Sequence, residues 1–113
     1  MIIKRLLLIL FLMTCTVIAS AQSMQSEYYV IKITQRLKDT LSLTREQVSD
    51  IYQLNQKLQY AKDSVWKYFT DEMLIRNGLQ AVENKRDSLY GTIFTTEQLI
   101  LYKEKKIQLI SNK

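Results

Sequence analysis

The residues that could carry covalent or acid–base chemistry are few in this 113-residue chain, and their spacing argues against most of it. There is no His, so a Ser-His-Asp triad, a His general base and a His-ligated zinc are all absent whichever way the chain folds. The single Cys, Cys15, has no partner for an internal disulfide. Asp71 and Glu72 are adjacent and point in different directions on a helix, whereas Glu83 and Asp87 share a face without a nucleophile or Gly-rich loop nearby. A glycosidase-like pair of acids would need a cleft that short helices build poorly. Ca²⁺ would need an acidic loop of the Asp-x-Asp-x-Asp kind, and none is present. The expectation is therefore a protein that is not an enzyme and takes no cofactor or metal.

The elements that must position whatever work remains begin with an address. Met1 to Arg5 is basic, Leu6 to Ala19 is apolar, and Ala19-Ser20-Ala21 has small residues two apart, the order of a cleavable secretory signal over residues 1–21. The apolar run is shorter than the roughly 20 residues that cross a bilayer. Gln22 to Ser26 turns polar at once, as a mature start would. An uncleaved anchor is one alternative; a lipoprotein is another, since Leu12-Met13-Thr14-Cys15 has some likeness to a lipobox. Cleavage removes Lys4 and Arg5, lowering the formal charge from +5 to +3, and leaves residues 22–113 without Cys or His. A chain this small buries only about 60–65% of its unfolded surface, so it forms one domain and gains from oligomerisation. The modest positive charge suits acidic surfaces, and export argues against nucleic acid.

With no Pro and two Gly, the mature part reads as helices joined by short turns, an all-α fold of about four helices. Tyr28 to Ile33 alternates like a strand, but Ile33, Leu37 and Leu41 recur every fourth residue and favour a first helix from Ser26 to about Leu41. Val48, Ile51, Leu54, Leu58, Ala61, Val65 and Tyr68 recur at spacings of three and four. They predict an amphipathic helix of roughly thirty residues, about 45 Å long, with Phe69 inside its core stripe. Asn77-Gly78 is the expected stop, since both residues tolerate a left-handed cap. Leu79, Val82, Leu89 and Ile93 mark a shorter third helix, and Thr96 to about Ile110 a fourth with Lys103, Lys105 and Lys106 on its outer side.

Two helix starts share one grammar, Leu43-Thr44-Arg45-Glu46-Gln47 and Phe94-Thr95-Thr96-Glu97-Gln98. In each, the Thr is an N-cap and the Gln three residues on reaches back to the Thr amide, a capping box worth on the order of 1 kcal/mol. Leu43 with Val48, and Phe94 with Leu99, occupy the positions of a hydrophobic staple. Glu46 and Glu97 favour the positive end of the helix dipole. The doubled Leu-Thr-x-x-Gln pattern, with Phe94 replacing Leu in the second copy, resembles the LTxxQ family of small periplasmic proteins, to which the chaperone Spy and the envelope-stress inhibitor CpxP belong. That resemblance implies helical hairpins that pair into a curved homodimer and bind unfolded or stress-damaged envelope proteins without ATP. The alternative it leaves open is a regulatory protein that restrains a sensor of envelope stress and has no general chaperone activity.

Tyr52, Tyr60, Trp66 and Met73 fall outside the centre of the predicted core stripe, interleaved with Lys62 and Lys67. They are the candidate contacts for clients or for a second copy of the chain, because Tyr and Lys present apolar stems with polar tips. The Lys103 to Lys106 run reads as a solvated helix face, with weak contact to an anionic membrane surface as its functional alternative.

Overall fold

The structure is a computed structural model and describes residues 24–111, so the leader, Cys15 and the expected cleavage after Ala21 lie outside the described residues. These residues fold as four helices without strands: α1 over residues 24–41, α2 Arg45–Tyr68, α3 Glu72–Ile93 and α4 Thr96–Ile110. The alternating start of α1 is helical because its apolar residues also satisfy a helical period. Val30, Ile33, Leu37 and Leu41 line one buried face at spacings of three and four.

The long second helix expected to stop at Asn77-Gly78 is instead two helices that reverse direction at Phe69-Thr70. Asp71 makes the restart possible, since its carboxylate accepts from the Met73 and Leu74 amides at 2.8 and 3.2 Å and so caps α3. Gly78 lies well inside α3, where its role is close approach rather than termination. A Cβ there would stand 3.0 Å from both Val65 methyl groups, so the bare backbone lets the two arms of the hairpin meet. Phe69 is not in the core: it is the extended residue that closes α2, and it is 41% exposed.

The register of the arms follows from their contacts. Asn55 meets Tyr90, and Lys62 meets Glu83, which fixes α2 and α3 as antiparallel. Thr34 meets Asn55 and Ser26 meets Asp63, so α1 runs antiparallel to α2 on its other side. Helix α4 lies at the opposite end from the α2–α3 turn. Its polar and ring contacts reach Arg36, Leu41, Gln47, Asp87, Tyr90 and Phe94. The main core sits at this base, where Leu37, Leu41, Leu43, Ile51, Phe94 and Tyr102 are buried together. Tyr90, Phe94 and Tyr102 pack as a trio of rings with centroids 5.2 to 5.7 Å apart, in the tilted and edge-on arrangements aromatic quadrupoles favour. The α2–α3 turn lies at the other end, where the first described turn of α1 shares a groove with Trp66 and Tyr68.

Candidate functional site

Both motifs cap their helices in the same way. Thr44 Oγ1 accepts from the Gln47 amide at 3.2 Å while Gln47 Oε1 accepts from the Thr44 amide at 2.9 Å. Thr95 and Gln98 repeat both distances. What the spacing of the motifs does not reveal is that they meet. Gln47 Nε2 donates to Gln98 Oε1 at 2.7 Å, and Gln98 Nε2 donates to Gln47 Oε1 at 3.2 Å. The same two amide nitrogens also donate across the base, Gln47 to the Ile93 carbonyl at 3.1 Å and Gln98 to the Leu41 carbonyl at 3.3 Å. Each Gln thus ties its own helix start, the other motif and the end of a further helix, α3 for Gln47 and α1 for Gln98. Leu43 and Phe94 lie buried beneath this lock. Of the motif residues, Thr44 and Thr95 cap their own helices, Leu43 and Phe94 enter the core, and Gln47 and Gln98 join α1, α2, α3 and α4 at the base.

A second polar system runs through the middle of the bundle. Arg86 is almost completely buried, and its Nη1 donates to Tyr90 Oη at 3.2 Å and to Asn55 Oδ1 at 3.5 Å. Tyr90 Oη donates in turn to Asn55 Oδ1, and Asn55 Nδ2 donates to Thr34 Oγ1 at 2.9 Å. Glu83 supplies the countercharge, with Oε2 at 3.1 Å from Arg86 Nε, although outside hydrogen-bond geometry, and Oε1 at 2.8 Å from Lys62 Nζ. Burial pushes the Tyr90 phenol up to about 12, against the opposing pull of the Arg86 cation. Tyr102 is also raised, first by burial and then by the Asp87 carboxylate that accepts its proton at 2.9 Å. Asp87 is held in addition by Lys106 at 2.6 Å. The two carboxylates that share a face of α3 are thus each met by a cation from another helix.

Between the first turns of α1, the second half of α2 and the first half of α3 lies an open groove of about 1290 Å³. Trp66, Tyr60 and Tyr68 contribute aromatic surface to it, with 62%, 76% and 73% of each residue exposed. Gln56, Gln59, Ser64 and Gln80 add uncharged polar groups, and the cations Lys62, Lys67 and Arg76 are matched by the carboxylates of Glu27, Asp63 and Glu83. Of the candidate contact residues, Tyr60, Lys62 and Trp66 share this groove, whereas Tyr52 and Met73 do not. Lys62 is not the exposed cation expected from the sequence. Its side chain is 17% exposed because Glu83 draws it against α3. Tyr52 is half-buried and donates to Glu27 of α1 at 3.4 Å, a contact within the chain. Met73 is 70% exposed on the first turn of α3.

Tyr68, expected with Phe69 in the core stripe, is instead 73% exposed because the chain reverses there, and with Phe69 and Leu74 it completes a cluster of large exposed side chains around the turn. Thr70-Asp71-Glu72 is the signal that could have found them, because an acidic cap followed by a second acid marks a helix start. In the basic run of α4, Lys103 and Lys105 are exposed while Lys106 is bound to Asp87. Among the described residues no group of three His, Cys, Asp or Glu side chains could hold a metal ion, and no helix is long and apolar enough to cross a membrane. No family model, curated protein or solved structure matches the chain.

Proposed function

We propose that this chain is an ATP-independent holdase of the periplasm, exported by a cleavable signal peptide, which binds unfolded or stress-damaged envelope proteins and works as a homodimer. The observation that carries the reading is the open groove with Tyr60, Trp66 and Tyr68 on its surface. Exposed aromatic rings offer large apolar area at little conformational cost, and the polar and charged groups between them keep the surface hydrated when it is empty. A shallow open groove gives modest retention, which lets a client leave without nucleotide hydrolysis. The doubled Thr-x-x-Gln motif and its resemblance to the LTxxQ family support the same reading.

The test is light scattering by a chemically unfolded client diluted into near-equimolar protein without nucleotide, beside an inert helical protein of similar charge. Suppression that weakens in Tyr60→Ser and Trp66→Ser variants is the expected result. No suppression at several-fold excess of folded protein overturns the reading. A tight complex with one folded envelope protein would then point to the regulator that restrains a stress sensor. Sedimentation of the same samples tests the homodimer.

A further inference from the structure

We infer that the outer face of α4 is the surface through which two copies of this chain pair, helix beside parallel helix, with Ile100 and Ile107 at its centre. At 100° per residue these two lie about 20° apart around α4, and the buried residues Tyr102 and Leu109 lie nearly opposite them. Helix α4 therefore carries apolar residues on two opposed faces, and the outer one is 56% exposed at Ile100 and 84% at Ile107. No residue of α4 lines the groove assigned to clients. The pairing rests on the homodimer of the functional reading above and gives that dimer its interface.

Charge selects a second copy as the occupant and fixes its direction. Lys103 and Glu104 are exposed and flank the isoleucine stripe at about 50° on either side. When two α4 helices lie parallel about a two-fold axis, the Lys103 flank of each copy meets the Glu104 flank of the other. Two pairs of opposite charge then close over isoleucines that meet their own counterparts. When the helices lie antiparallel, the two-fold axis sets Lys103 against Lys103 and Glu104 against Glu104, so both flanks oppose the apolar contact. The face is complementary to itself in the parallel arrangement alone. Isoleucines seven residues apart also suit a two-stranded parallel contact, since β-branched side chains favour it. One helix face on each copy covers less than the roughly 1,200 Å² of stable complexes, so the dimer forms and parts readily.

The direction matters for clients. From the base, where Gln98 donates to the Leu41 carbonyl, α4 climbs beside α3 and α1: Tyr102 and Lys106 meet Asp87, and Arg36 donates to the Ser111 carbonyl. Parallel α4 helices accordingly set both α2–α3 turns, and both grooves, toward one end of the dimer. One unfolded chain then engages two grooves, the second at the high effective concentration of a tethered site.

The experiment measures sedimentation equilibrium of the full chain, with Cys15→Ser in every sample so that an added cysteine is the sole thiol. A monomer–dimer equilibrium is expected, and Ile107→Ser should raise its dissociation constant roughly tenfold or more, since each dimer loses two apolar side chains. Lys103→Glu and Glu104→Lys should each weaken the dimer, and Lys103→Glu/Glu104→Lys should restore it. Mild oxidation of Ile107→Cys should link two copies, because parallel pairing brings the same position of both helices together, whereas antiparallel pairing sets it opposite Ile100. The substituted residues of α4 are exposed, and circular dichroism establishes that each variant is folded. A folded protein that stays monomeric at several hundred micromolar, a dimer indifferent to Ile107→Ser, charge reversals without effect or without rescue, or no link through Ile107→Cys each overturns the inference. Light scattering reads client protection separately. Its absence from the unsubstituted chain overturns the holdase reading, whereas protection by a dimer built on another face overturns this interface alone.

Discussion

Replacing Gln98 with Ala removes more than a helix cap. The side chain accepts from the Thr95 amide at 2.9 Å and from Gln47 Nε2 at 2.7 Å, and it donates to Gln47 Oε1 at 3.2 Å and the Leu41 carbonyl at 3.3 Å. At a net ~0.5–1.5 kcal/mol per hydrogen bond, with some replaced by water at this half-buried site, Gln98→Ala should cost about 2–3 kcal/mol. Gln47→Ala should cost a similar amount, since its four bonds mirror those of Gln98. The double variant decides the matter. If the two amides form one lock, the first substitution already strands the second side chain, and the double variant should cost little more than either single one, with a coupling of about 1–2 kcal/mol. Urea unfolding of the four proteins gives these energies directly. Single costs near 1 kcal/mol that add within ~0.3–0.5 kcal/mol would show two independent caps and refute the lock.

Alkali should unfold the protein through its buried phenols. Tyr90 has a folded-state value near 12 against 10 when unfolded, so its contribution is fully present below pH 10 and is lost as pH rises from about 10 to 12. The loss is on the order of 3 kcal/mol. Tyr102 adds to it in the same direction, so ultraviolet titration of the seven tyrosines should show two ionising only as helicity collapses. Tyr90→Phe should flatten that part of the stability profile, and an unchanged profile would count against burial as the cause. The two glycines should respond oppositely to Ala. Gly91→Ala, whose Cβ would meet only Leu99 at 4.0 Å, should gain about 0.5–1 kcal/mol from helix propensity. Gly78→Ala should lose about 1 kcal/mol, since contact with Val65 at 3.0 Å outweighs the same propensity. A gain at Gly78 in thermal unfolding would mean that the hairpin arms are not held as closely as described.

What was legible in the sequence was local. The limits of α4 and the reciprocal bonds of each capping box depend on residues within one turn of each other, and the pattern of Thr, Gln and apolar residues specifies them without help from the rest of the chain. The reversal at Phe69-Thr70 was hidden for a physical reason. Apolar residues recur every three or four positions in both arms of a hairpin, so the period runs through the turn and a straight helix of thirty residues scores as well as two helices. Only Asp71 marks the break, and an acidic residue is unremarkable on a helix surface. Gly78 misled because glycine serves both as a helix end and as a site of close approach, and only the position of Val65 in space tells them apart. Lys62 and Asn55 show the same limit for polar groups. Each lies close to the buried side of α2, acceptable there because α3 brings Glu83 to one, and α3 and α1 bring Tyr90, Arg86 and Thr34 to the other. The candidate groove inherits this dependence. Tyr60 and Trp66 are readable as polar-face exceptions, but the groove itself lies between α1, α2 and α3, whose side-by-side arrangement the buried contacts of Asn55 with Thr34, Tyr90 and Arg86 hold and no single helix specifies.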